Sequence, residues 1–370
     1  MLNVEFTRAQ VLKPEGLVPD SLAVSDGLIA SAADRQVDLT GFTILPGMID
    51  LHGDGFERHV APRRGAMKDV GAGIRAAEAE MASHGITTGV LAQFASWEGG
   101  LRGPDFAKQV LAAIRDSDTI TDLIGQLRLE IHLLELYDGL PDLLAELGVG
   151  YVVFNDHLPH ERLAAGKRPK SLTGQALKAG RNPETHFAML LELHARRSDV
   201  PAALDALCPR LLAQGVILGS HDDHTGKDRQ IWTERGVHIA EFPETLDAAE
   251  APGRVILGAP NLVRGGSHKG NVSALDVVLC GNCDALASDY HYPSLRRAAL
   301  FLAKTIGLET AWKLVSSGPA EALGLKDRGV LQVGKRADLV ILDSENRVAA
   351  TMSGGRVSYL TGEIAGRFLG

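Results

Sequence analysis

Apolar positions along this chain follow two periods. Near both ends they come in short runs broken by turn residues. Leu22-Ala23-Val24 is followed by a turn at Asp26-Gly27 and then by Leu28-Ile29-Ala30. Late in the chain, Leu339 to Leu342 and Val357 to Leu360 repeat the pattern. Such runs predict short β-strands. Between them, compact apolar runs alternate with helix-like stretches. Strands are expected near 43–51, 86–92, 127–135, 150–156, 216–221, 238–242, 254–259 and 285–289. Helices are expected over 67–83, 105–115, 140–147, 185–197 and 294–306, the first of them rich in Ala and Glu and stopped by Gly85. Eight strands with intervening helices predict an α/β fold, a (β/α)8 TIM-like barrel, whose chemistry sits at the C-terminal ends of its strands. The β-rich ends predict a small β-sandwich built from both termini. The expected division is 1–45 with 327–370 for the sandwich and 46–326 for the barrel.

Composition places this fold in an ordinary setting. Of 370 residues, 45% are hydrophobic and 23% charged, enough for a large core with a polar surface. No apolar run approaches the ~18 residues that would span a bilayer. The opening MLNVEFTRAQ lacks a basic stretch followed by an apolar one, so no signal peptide is expected. Cys208, Cys280 and Cys283 make no disulfide framework, and a cytoplasmic protein follows as the default. Cys280-Gly-Asn-Cys283 has no second half of a zinc site and reads as two small apolar residues beside a buried strand. The net charge of −8 argues against nucleic-acid binding. Positive charge is nevertheless clustered. Arg58, His59, Arg63 and Arg64 form one group, and Arg264, His268 and Lys269 lie in a glycine-rich loop. Local cations in an acidic chain suit a small polyanionic ligand.

The chemistry-bearing residues sit where a barrel would gather them. Phe42 to Leu51 drives into His52-Gly53-Asp54. Residues i and i+2 of a strand share a face, so His52 and Asp54 point together. An imidazole nitrogen with a carboxylate oxygen suits Zn, Mn or Fe. Later strand ends carry Ile131-His132-Leu133-Leu134-Glu135, Asn155-Asp156-His157, Ser220-His221-Asp222-Asp223-His224, Glu241-Phe242-Pro243 and Ser288-Asp289-Tyr290. A single histidine at a strand end is usually structural. Ionisable groups at six strand ends are costly to bury without a cation or partners.

On these residues the chain resembles the amidohydrolase superfamily, through LPGMIDLH and the late GKRADLVIL. Within it, the resemblance is to the phosphonate-metabolism diphosphatases of the carbon–phosphorus lyase pathway. The carrying stretches are LHGDGFERHVAPRRGA, HGITT, NDHLPHER, GSHDDHT, IAEFPETLDAAE, GAPNLVRGGSHKGNVSA, SDYHYPSLR and DRGVLQVGKRADLV. The resemblance implies cleavage of α-D-ribose 1-methylphosphonate 5-triphosphate to the 5-phosphate and pyrophosphate. It also implies one or two divalent metals, Zn first with Mn or Fe as alternatives, and a water activated by them.

The roles that follow are expectations. His52, Asp54, Glu135, His157, His221 and Asp289 are the candidate metal ligands, with Asp289 also orienting or deprotonating the attacking water. Asp222, Asp223 and Glu241 are expected to support those ligands or to replace one of them. Arg58, Arg63, Arg264, Ser267, His268 and Lys269 are expected to hold the triphosphate. The chain departs from the family's pattern where RLEIHLLELY replaces the usual His-Leu-Arg-x-Glu. His132 and Glu135 are three apart and would face opposite sides of a strand. Either a bulge intervenes or Glu130 or His132 takes the place of Glu135. Gly53, Gly55 and NDHLPHER also differ from the family and bear on the substrate. Two other functions compete: hydrolysis of an amide or cyclic amide, and a non-catalytic binding or assembly subunit. The expected partner is a small phosphorylated molecule, with neither nucleic acid nor membrane, and a homo-oligomer is left open.

Overall fold

The computed structural model describes residues 2–62, 69–266 and 271–369. Strands β1 (Val4–Lys13), β2 (Gly16–Ser25), β3 (Leu28–Ala30), β4 (Arg35–Asp38) and β5 (Thr43–Pro46) open the chain. The barrel-type strands are β6 (Met48–Gly53), β7 (Ile86–Ala95), β8 (Asp122–Glu130), β9 (Tyr151–Asn155), β10 (Ile217–His221), β11 (Ile239–Glu241), β12 (Arg254–Gly258) and β13 (Ala285–Ala287). Strands β14 (Leu339–Leu342), β15 (Val348–Ser353) and β16 (Arg356–Leu360) close it.

The two termini build one mixed sheet in the order β16-β15-β14-β5-β1-β2-β3, with β4 beside β1. Val4 to Thr7 of β1 pair with β4, whereas Gln10 and Val11 pair with β5. The change of partner falls at Arg8, whose φ of 59° marks the bulge that shifts the β1–β2 register. This partner switch gives the expected sandwich its form, a single sheet folded over a core of Val4, Phe6, Val11, Val24, Ile44, Leu339, Ile341 and Met352. Two tight turns keep the hairpins in register. Asp26 and Gly27 both have positive φ, as do Gly354 and Gly355, which matches the twist of the flanking strands.

The eight remaining strands form one parallel sheet in chain order. Gly53, at the end of β6, bridges to Asp289 just beyond β13, so the last strand returns to the first. The fold is the α/β barrel class expected from the periodicity. The apolar run from Phe42 to Leu51 is two strands, β5 for the terminal sheet and β6 for the barrel. They part at Gly47, where a Cβ would sit 2.3 Å from Thr87 Oγ1.

The third barrel strand differs from expectation. It spans Asp122–Glu130 where the pattern suggested 127–135. Leu127, Leu129, Ile131 and Leu133 are all buried, so the period of two runs past the strand's end. Residues 134–136 form a 3-10 turn, which leaves Glu135 exposed beyond the strand. The helix expected over 67–83 is Val70–Ser83, capped by Asp69, whose side chain accepts from Ala72 N–H. Cys280 is exposed at a helix end and Cys283 half-buried ahead of β13, so the pair is less interior than expected.

The chain divides into two compact units. One contains residues 1–91, 117–124 and 256–370; the other contains 92–116 and 125–255. No helix among the described residues is long and apolar enough to cross a membrane.

Candidate active site

In the unit of residues 92–116 and 125–255, parallel pairing sets Glu130 against Asn155 and His221 against Glu241. Alternation then puts Gln126, Arg128 and Glu130 on one face of β8. Glu130 is fully buried at the strand's end. Its carboxylate accepts from Trp97 Nε1 at 3.0 Å and from the His157 backbone N–H at 3.2 Å, and it also meets His157 Nδ1. On the other side of that ring, His157 Nε2 lies 3.9 Å from Asp222 Oδ2. Asp222 Oδ2 is 3.3 Å from His221 Nδ1, and His221 Nε2 is 2.8 Å from Arg128 Nη2. Arg128 is itself buried, stacked 3.9 Å over Phe94 and bonded to Asn155 Oδ1 at 3.0 Å.

Ligand atoms of His157, His221 and Asp222 all lie within 4.8 Å of one another. Two imidazoles and a carboxylate, with Glu130 adjoining, are a donor set that fits a borderline divalent cation. Burial works to lower the His157 pKa, but Asp222 and Glu130 override it and raise it from 6.5 to about 9. Without a metal, His157 is therefore a half-buried imidazolium between two carboxylates. Its stabilising contribution is complete below pH ~6.5 and disappears as pH rises through ~9. Chelator-treated protein should lose up to about 3 kcal/mol of unfolding free energy across that window. His157→Gln should flatten the loss, as denaturant titrations at pH 6, 7.5 and 9.5 would record.

Glu241 and Asp223 also hold bonds of their own. The buried Glu241 carboxylate accepts from Tyr151 Oη at 2.6 Å and Gln126 Nε2 at 2.8 Å. Burial, with the Glu241 charge beside it, pushes the Tyr151 phenol well up, so it stays a donor. Asp223 accepts from Ser220 Oγ at 2.5 Å and pairs with Arg229 at 3.3 Å, with both ends of the pair buried. Replacing Arg229 by Met would strand that carboxylate. The expected cost is about 3–5 kcal/mol, measurable by denaturant unfolding near neutral pH.

In the unit of residues 1–91, 117–124 and 256–370, His52 is fully buried at the end of β6. A reciprocal backbone clamp ties its strand to Asp289. Asp289 N–H donates to His52 C=O at 3.0 Å, and Asp54 N–H donates to Asp289 C=O at 2.9 Å. Asp50 lies beneath and accepts from Ser288 N–H at 2.8 Å and Ser288 Oγ at 2.5 Å. Burial lifts its pKa to about 6. Gly53 is required here, because a Cβ would lie 2.7 Å from Asp50 Oδ2 and 3.1 Å from the Tyr292 ring. Of the residues expected to hold phosphate, Arg58 pairs with Glu80 and donates to Tyr290 C=O at 3.2 Å. Arg264 donates to Tyr290 Oη at 2.9 Å. Arg63, Ser267, His268 and Lys269 lie outside the described residues.

Three of these strand ends share a backbone signature. Asp222, Phe242 and Asp289 follow β10, β11 and β13 with φ of 59°, 55° and 56°. Left-handed backbone in non-glycine residues costs energy and gathers where side chains must be aimed. Arg128 and Trp97 were missed as supports of the site. Their only sequence signal is the Arg128-x-Glu130 spacing, readable once the strand's true end is known.

Comparisons with known proteins follow this geometry. The Amidohydrolase family matches residues 295–359. Over 351 residues the chain is 34% identical to the α-D-ribose 1-methylphosphonate 5-triphosphate diphosphatase of Escherichia coli strain K12, covering 88% of this chain and 91% of that enzyme. It is 26% identical to an adenine deaminase of Methanoregula boonei, over 90% of this chain but 54% of that enzyme. Among solved structures, the N-acetylglucosamine-6-phosphate deacetylase of Pasteurella multocida superposes with a TM-score of 0.62 at 13% identity, over 96% of this chain and 99% of that one. A D-aminoacylase gives 0.62 at 14% identity, over 99% of both. At such identities the structures speak for the fold alone.

Proposed function

The chain belongs to the amidohydrolase superfamily, in the family of the ribose 1-methylphosphonate triphosphate diphosphatase it matches, and from that premise we propose that it hydrolyses α-D-ribose 1-methylphosphonate 5-triphosphate to the 5-phosphate and pyrophosphate. The observation that carries this reading is the 34% identity maintained over nearly the full length of both chains. Enzymes of this superfamily typically use divalent metals. Here we assign them to His52, Asp54, Glu130, His157, His221 and Asp289, with Asp222 as a further candidate. Glu130 takes the part first expected of Glu135, because β8 ends at Glu130 and its carboxylate meets His157.

The donor set favours zinc, which when bound supplies Lewis acidity and lowers the pKa of a water. Asp289 would accept a proton from the attacking water. The water oxygen bonds to the phosphorus next to the ribose, and the bond from that phosphorus to the bridging oxygen breaks. Pyrophosphate leaves with the electron pair. Arg58 and Arg264, both bonded to Tyr290, provide positive charge for the leaving group, the term that dominates phosphoryl transfer. Residues 46–326 would carry this chemistry, with 1–45 and 327–370 as the accessory domain. The reading takes the enzyme as cytoplasmic, acting on a small molecule.

The test is pyrophosphate release by zinc-reconstituted protein. Release from the ribose triphosphate, with little from nucleoside triphosphates and no hydrolysis of an N-acyl amino acid, is the expected result. Metal-loaded protein that leaves the ribose triphosphate intact but hydrolyses the acyl amino acid would overturn the assignment.

A further inference from the structure

Outside the residues assigned above, the unit of residues 92–116 and 125–255 holds a second convergence of ligand-type side chains. His132 follows β8, Asp156 follows β9, His160 begins the helix His160–Ala164, and His194 lies near the end of the helix Pro183–Ala195. His132 Nε2 is 3.1 Å from Asp156 Oδ1, and His160 Nε2 is 3.1 and 3.0 Å from the two Asp156 oxygens. On its far side, His160 Nδ1 is 2.8 Å from His194 Nδ1. Four segments thus bring two imidazoles onto one carboxylate, with a third imidazole behind them.

We propose that His132, Asp156 and His160 form a second zinc-class divalent cation site, with His194 as the positioning residue behind His160. Ligand atoms of the three lie within 4.8 Å of one another. Atoms on a tetrahedral zinc with bonds of ~2.0–2.1 Å lie about 3.3 Å apart. The observed separations of 3.0 and 3.1 Å from each imidazole to the Asp156 carboxylate are close to that edge. Two neutral imidazoles and one carboxylate offer borderline donors and a net charge of −1, which matches zinc better than magnesium or calcium.

Proton bookkeeping gives His194 its role. If zinc takes Nε2 of His160, then His160 Nδ1 carries the proton and donates it to His194 Nδ1. That contact fixes ring and tautomer, as the outer partners of metal-bound histidines do. The His132 side chain is 3% exposed and those of His160 and Asp156 are 32% and 39% exposed. The site therefore has a dry wall and an open side that admits the ion and a completing water. It shares no side chain with the first set, since His157 turns its ring to Glu130 and Asp222.

The experiment counts zinc per chain. Full-length protein is stripped with a chelator, reloaded with zinc, desalted and assayed by elemental analysis, beside His160→Ala and His132→Gln. His160 is partly exposed and its truncation should leave the thermal melt near that of the parent, so the result does not hinge on the buried His132. Each variant should hold one zinc fewer than the parent while releasing pyrophosphate within about twofold of it. Equal zinc in all three proteins would overturn the site. So would loss of more than one zinc together with pyrophosphate release, which would make the cluster part of the catalytic centre. The zinc count stands whether or not the ribose triphosphate is the substrate.

Discussion

Asp289→Asn should lower pyrophosphate release by about 10²–10⁴-fold, the range expected when a positioned proton acceptor is removed. The argument starts from the backbone. Asp289 has a φ of 56° and is held on both sides by bonds to His52 C=O and Asp54 N–H. Asparagine tolerates left-handed backbone nearly as well as aspartate, so the clamp should survive. Its amide can neither accept a proton at neutral pH nor carry charge to a cation. Stability should change by less than about 1 kcal/mol, since exposed or well-accommodated substitutions rarely do more. The loss should fall on kcat, and the acid limb of the pH–rate profile should be lost with the carboxylate. Turnover at the parent rate would remove Asp289 from the mechanism.

Glu130→Gln should reduce activity by at least about 10²-fold, since even partners of metal ligands are worth 10–100-fold. Glu135→Gln should stay within twofold. The two residues are five apart in sequence and entirely different in setting. Glu130 is fully buried, bonded to Trp97 and His157. Glu135 is exposed on a 3-10 turn beside an apolar cavity of about 230 Å³ lined by Leu136, Leu140 and Leu143. The glutamine at 130 leaves His157 with one carboxylate neighbour and lowers its pKa. Zinc titration of both variants checks the pair of predictions: weakened binding for Glu130→Gln and parent-like binding for Glu135→Gln. A reversed order would return the ligand role to Glu135.

This pair of glutamates shows where sequence reading reached its limit. Barrel strands are buried on both faces, so β7, β9, β11 and β13 read as compact apolar runs and were placed within a few residues. β8 failed because apolar and polar residues keep alternating, all of them buried, through Ile131 and Leu133 after the strand has ended. The positions of His52, Asp54 and Asp289 at strand ends were legible because short strands end abruptly in polar residues. Arg128 was not, because a cation in the middle of an apolar strand has no pattern of its own; its meaning comes from Phe94, Asn155 and His221, brought to it by the fold. The terminal sheet was half legible. Hairpins with Asp26-Gly27 turns announce themselves, whereas β5 and β14 pair with each other from far apart in the chain.

The joint at Gly47 has a consequence for how the chain is made. β5 is flanked by β1 on one side and β14 on the other, and β6 follows it after a single residue. β1 emerges from the ribosome before β5, but β14 emerges only after all the barrel strands between them. Until then β5 is an open edge, with unpaired backbone groups that invite pairing with other chains. Premature termination before Leu339 would thus leave the first barrel strand tethered to an unfinished sheet, and quality control could recognise such chains by that exposed edge.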